Sequence, residues 1–114
     1  MERNTFTYEA IDSALVIHLP KEVDHHNCLT LKYETDLLLA ENYINRIIFD
    51  FSGTEFMDSS GIAVILKTDR LLRQTGGALA LSGVPGQVRR VLDVAGLTKI
   101  VPVLGDREKE CEEC

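Results

Sequence analysis

Arg46-Ile47-Ile48-Phe49-Asp50-Phe51-Ser52-Gly53 is the stretch whose reading decides the fold. Its apolar run is too short for a helix and ends on turn-forming residues, so it reads as a short buried strand followed by a turn. A helix is expected next, from about Ser59 to Gln74, ended by Gly76-Gly77, after which Ala78 to Ser82 returns as another apolar strand. Strand, helix and strand in that order form a crossover, which needs parallel strands in one sheet and a right-handed connection.

Working outward toward the N-terminus, Thr5 to Ile11 places Phe6, Tyr8 and Ala10 at alternate positions. Asp12-Ser13 supplies turn chemistry, and Ala14 to Leu19 is rich in strand formers, so the two runs predict an antiparallel hairpin. Pro20 and Lys21 close the second strand. Asp24 is placed to cap a helix running to about Glu41, with Cys28, Leu31 and Leu38 as its apolar stripe and Lys32, Glu34 and Asp36 turned to water. Toward the C-terminus, Pro85 fits a helix's first turn, and Val88, Val91, Leu92 and Ala95 repeat helically up to Gly96. Ile100 to Leu104 reads as the last strand. The expected order is β-β-α-β-α-β-α-β, an α/β fold with a mixed sheet, in one domain over residues 1–104. The charged tail 105–114 lacks periodic apolar residues and is expected to be poorly ordered.

Composition narrows the function. The chain has 114 residues, is 45% hydrophobic and carries a formal net charge of -6, enough apolar content for one core but no basic field to draw in phosphate backbones. Nucleic acid and anionic membrane surfaces are therefore not expected as partners. No apolar run approaches the roughly 18 residues that cross a bilayer, and the start resembles no signal peptide, so a cytoplasmic location is expected. Three cysteines make an odd count, with Cys28 far from Cys111 and Cys114, which suits a reducing compartment. Cys111-Glu112-Glu113-Cys114 has the spacing of half a zinc site without a second ligand pair, and adjacent His25 and His26 diverge at a helix start, so neither a metal nor a cofactor is expected.

Chemistry concentrates in Thr54-Glu55-Phe56-Met57-Asp58-Ser59-Ser60-Gly61, where a strand passes into a helix at the sheet's carboxyl edge. Two readings stand side by side here. Asp and Ser are ordinary helix caps, and a capping serine can also be a modification site. Phosphorylation there would add about -1.5 to -2 charges beside Asp58, changing the surface more than the fold. A hydrolase built on Ser59 is disfavoured, because there is no Gly-x-Ser-x-Gly elbow and no histidine after His26. Gly83-Val84-Pro85-Gly86 lacks the lysine of a phosphate-binding loop.

Glu22-Val23-Asp24-His25-His26, Phe56-Met57-Asp58-Ser59-Ser60-Gly61 and Val94-Ala95-Gly96-Leu97, in that order, resemble the STAS domain of bacterial anti-sigma factor antagonists from about residue 5 to 104. The resemblance implies a protein that is not an enzyme. Such a protein binds an anti-sigma factor that is also a serine kinase, releases a sigma factor, is inactivated when that kinase phosphorylates it, and is reset by a serine phosphatase. It implies Ser59 as the acceptor and places Asp24, His25, Asp58, Ser59, Ser60, Gly61 and Ile62 at the partner-binding surface. One departure is Lys21, where many relatives carry glycine, a change expected to alter the loop and partner choice. The alternative within the same fold is a scaffold subunit of a signalling or transport assembly without a kinase switch.

Overall fold

The structure, a computed structural model, describes residues 7–41 and 43–104. Strand β1 (Thr7–Ile11) turns at Asp12 and Ser13 into β2 (Ala14–His18). Asp12 sits at φ 57°, a left-handed conformation that a short polar side chain tolerates at a tight turn, and the strands then pair antiparallel from Ile11 with Ala14 to Thr7 with His18. The two-residue β3 (Glu22–Val23) precedes α1 (His25–Glu41); β4 (Arg46–Asp50) and the two-residue β5 (Phe56–Met57) precede α2 (Ser59–Gln74). After β6 (Ala78–Ser82) come α3 (Gly86–Val94) and a single 3-10 turn at Leu97–Lys99.

The main sheet has the order β1-β2-β4-β6, with β2, β4 and β6 parallel and β1 antiparallel at one edge. Each crossover adds a strand on the same side, so right-handed connections place all three helices on one face. The alternation of burial agrees: Leu15, Ile17, Ile47, Phe49, Leu79 and Leu81 point into the helical layer and are all essentially inaccessible. Phe49 and Phe51, both at 0% exposure, centre the core, each contributing about 1.5–3 kcal/mol by leaving water.

The expected mixed α/β sheet and its three helices are present, and three local expectations need correction. Residues 100–104 do not form a strand. After Gly96 (φ 78°) the chain coils, and only a bridge between Leu81 and Val103 extends the sheet, closed by Leu81 N donating to Pro102 O and Leu104 N to Leu81 O. Pro102 cannot donate a ladder hydrogen bond, which suits so short an edge. Glu34 is not simply turned to water, since it accepts a hydrogen bond from Tyr8 Oη at 3.0 Å. That contact acts with burial, the larger cause, to raise the phenol's pKa. Ala95 is exposed rather than part of the α3 core stripe. Phe6, Cys111, Cys114 and the 105–114 tail lie outside the described residues.

Candidate functional site

Beyond the main sheet, the chain builds the same junction twice. β3 and β5 form their own parallel pair, Glu22 with Phe56 and Val23 with Met57, and each leads through one aspartate into a helix. The arms are stitched together before they pair. Glu55 N and Phe56 N both donate to Lys21 O at 2.7 and 3.2 Å, and the buried Thr54 hydroxyl donates to Pro20 O at 2.8 Å. Asp58 N then donates to Val23 O at 3.2 Å. Residues more than thirty positions apart in sequence thereby present two helix starts side by side.

At the first start, Asp24 Oδ1 accepts from Asn27 N at 3.0 Å, and Asn27 Nδ2 reaches back to Glu22 O at 2.7 Å. At the second, Asp58 holds extended dihedrals (φ -112°, ψ -171°) and its Oδ1 accepts from Ser60 N at 2.8 Å. The two readings of the serine pair separate here, because the cap is Asp58. Ser59 is the first helical residue, is exposed, and its hydroxyl makes no hydrogen bond to another described residue. Ser60 Oγ lies 3.4 Å from His25 Nδ1, which joins the two starts across their polar ends.

Of the residues expected at this surface, the structure gathers Asp24, His25, Asp58, Ser59 and Ser60 around the paired starts. Gly61 lies beneath them: a Cβ there would stand 2.6 Å from Met57 Cγ and 3.0 Å from Val23 Cγ1, so only glycine lets α2 approach this closely. Cys28, in the first turn of α1, is buried, and desolvation with the nearby Asp58 and Asp24 charges pushes its thiol up to about 11, leaving it protonated and unreactive near neutral pH. Lys21 takes no left-handed backbone, since among the described non-glycine residues only Asp12 has a positive φ. Its carbonyl serves both hydrogen bonds from the opposite arm without a glycine.

Sequence reasoning did not anticipate the contribution of α3. Gln87 Nε2 donates to Glu55 O at 3.3 Å, and a groove of about 360 Å³ runs between α2 and α3, lined by Ser59 and Ile62 on one side and by Gln87, Arg90, Val91 and Val94 among others on the other. The available signal was Val94, an aliphatic residue that falls off the Val88–Leu92 core stripe and is 84% exposed.

Away from this region, on the sheet face opposite the helices, His18 Nδ1 meets Asp50 Oδ2 at 2.6 Å and Nε2 lies 3.6 Å from Glu9. The Asp50 hydrogen bond raises the pKa of His18. Burial, the largest single influence on Asp50, pushes its pKa up, but Ser52 N, His18 and Ser52 Oγ together outweigh it and hold the carboxyl below its ordinary value.

A family model described as the STAS domain matches residues 5–110. Among curated proteins, the anti-sigma F factor antagonist of Paenibacillus polymyxa is 36% identical over 89 residues, 78% of this chain and 76% of that protein. Among solved structures, the anti-sigma factor antagonist SpoIIAA in its unphosphorylated form superposes with a TM-score of 0.80 at 27% identity, covering 92% of each chain. The phosphorylated form of the Bacillus cell fate determinant SpoIIAA gives 0.71 at 25% identity, covering 96% of this chain and 100% of that one.

Proposed function

This chain belongs to the STAS-domain family that includes the anti-sigma factor antagonists, and we propose that it is itself an antagonist, binding an anti-sigma factor with serine kinase activity and switched off by phosphorylation of Ser59. The observation that carries the reading is the exposed Ser59 hydroxyl, which bonds no other described residue, at the first position of a helix capped by its neighbour. At a serine whose own oxygen caps the helix, phosphorylation would rearrange the hydrogen bond that starts it. Ser59 has no such duty.

In the proposed reaction, Ser59 Oγ attacks the γ-phosphorus of an ATP held by the kinase. The bond to the β,γ-bridging oxygen breaks, ADP departs, and the hydroxyl proton passes to a base on the kinase and from there to solvent. The product carries about -1.5 to -2 added charges next to Asp58 and beside Asp24. A partner packed over both helix starts would have to desolvate that phosphate against two carboxylates, which costs binding energy while leaving the fold intact. A serine phosphatase would restore the docking surface. With a net charge of -6 the chain is poorly suited to contact nucleic acid directly, so its effect on transcription would pass through the protein partner.

The test mixes the protein with candidate anti-sigma factor kinases and ATP and locates the added phosphate by peptide mass spectrometry. Phosphate on Ser59, with Ser59→Asp keeping the wild-type circular dichroism but binding the unmodified kinase at least tenfold more weakly, is the expected result. Binding without any phosphate transfer would favour the scaffold reading, and modification confined to another residue would remove the site assignment.

A further inference from the structure

The two neighbouring arginines on α3 are employed differently. Arg89 Nε pairs with Asp93 Oδ1 at 3.2 Å, within its own helix. Arg90 is exposed and makes no hydrogen bond or ion pair to another described residue, yet it lines the groove that also contains Ser59. Its companions there, Ile62, Gln87, Val91, Val94, Ala95 and Ser59, are all uncharged, so Arg90 is the only charged side chain lining that groove among the described residues.

We propose that Arg90 is the residue that engages a phosphoryl group on Ser59, drawing its guanidinium across the α2–α3 groove; the proposal rests on Ser59 being the phosphoacceptor. A phosphoserine and an arginine lining one small groove form a charge-assisted, two-pronged hydrogen-bonded pair, the geometry for which a planar guanidinium is suited and an ammonium is not. The consequence reaches beyond repulsion. In the unmodified protein Ile62, Val91 and Val94 border an open apolar trough beside Ser59. With the phosphate bound, the Arg90 side chain lies over that trough, so one modification adds charge at the helix start and also covers the apolar surface next to it. Arg90 thus sets how completely the docking surface is lost.

The test uses the full chain with phosphoserine installed at position 59 during synthesis, so that no kinase is needed. Failure of a kinase to modify Ser59 would count against the proposed function and leave this measurement unaffected. The groups surrounding the phosphate are Asp58 on its own segment, Asp24 and His25 at the start of α1, and Gln87 and Arg90 on α3. Phosphorus NMR then follows the second ionisation of the phosphate in wild type, Arg90→Ala, Arg90→Lys and His25→Ala. Arg90→Ala should raise that midpoint by about half a pH unit, and Arg90→Lys should recover only part of the shift. In parallel, the methyl signals of Ile62 and Val94 should move on phosphorylation in wild type and stay in place in Arg90→Ala. An unchanged midpoint in Arg90→Ala overturns the proposal whatever His25→Ala does, and methyl shifts that persist without Arg90 overturn the covering of the groove. Arg90 is exposed, and matching circular dichroism of the unmodified variants secures the comparison.

Discussion

The two helix starts are built to one plan and differ in what the plan leaves over. Val23-Asp24-His25 and Met57-Asp58-Ser59 occupy matching places on paired two-residue strands, and each aspartate caps its helix. Asp24 reaches the third helical N-H, that of Asn27, and Asp58 reaches the second, that of Ser60. The third position of α1 is Asn27, whose amide ties back to Glu22 O; the third position of α2 is Gly61, pressed against Met57 and Val23. The first position holds an imidazole at one start and, at the other, a hydroxyl that bonds no other described residue. The shared features serve folding, and the residue that folding does not use is Ser59.

That contrast can be broken most severely at the third position. Gly61→Val should cost about 3 kcal/mol in urea unfolding, because its methyls enter space held by Met57 and Val23. Asn27→Ala at the matching position should cost only about 1 kcal/mol, the worth of one hydrogen bond. Next come the caps: Asp58→Ala and Asp24→Ala should each lose about 1 kcal/mol, and equal losses would show that reaching the second or the third N-H is equivalent here. At the first position, Ser59→Ala should change stability by less than about 0.5 kcal/mol, and a larger loss would mean that the hydroxyl does serve the fold.

The smallest effect should lie off both starts and acts as a control. His18 has a raised pKa, so its contribution to stability is whole below its ordinary value of 6.5 and fades as pH climbs through the raised one. Asp50 is depressed, so its contribution is whole above its ordinary 3.8 and is lost as acid carries pH down through the lowered value. The pair therefore supports the fold best between about pH 4 and 6.5. His18→Gln should flatten the decline in melting temperature from pH 6 to 8 while leaving the Ser59→Ala comparison unchanged.

What could be read in the sequence followed from periodicity and caps. The 59–74 helix, its Gly76-Gly77 end, and the β4 and β6 runs all carry strong local signals, and the structure places α2 at Ser59–Gln74. β3 and β5 were not legible, because two residues have no period and each strand exists only through the other. The outer face of α1 carries a second apolar row, Leu29, Tyr33 and Leu37, spaced by four and exposed, yet the stripe read from sequence, Cys28, Leu31 and Leu38, is the one that packs into the core. At the site, local capping chemistry singles out Asp24 and the Asp58–Ser60 segment and motif resemblance gives them and His25 a binding role, whereas Arg90 escapes notice because nothing local distinguishes it from Arg89. Lys21 stood out in sequence as a missing glycine and proves to need none.

The two-residue ladder also meters chain length. From the last pair of the main sheet, His18 with Asp50, to the pair Glu22 with Phe56, the first arm advances four residues and the second six. The surplus on the Ser59 arm coils into the turn closed by Thr54 N on Phe51 O at 2.9 Å, and its tip, Ser52 and Gly53, is exposed, with open space around Gly53. The other arm runs through buried Leu19 and Pro20 with no slack. Insertions at the Ser52–Gly53 tip should therefore leave the register of both helix starts intact, while a single residue added between Leu19 and Lys21 should throw Val23 out of step and carry Asp24 and His25 away from Ser60.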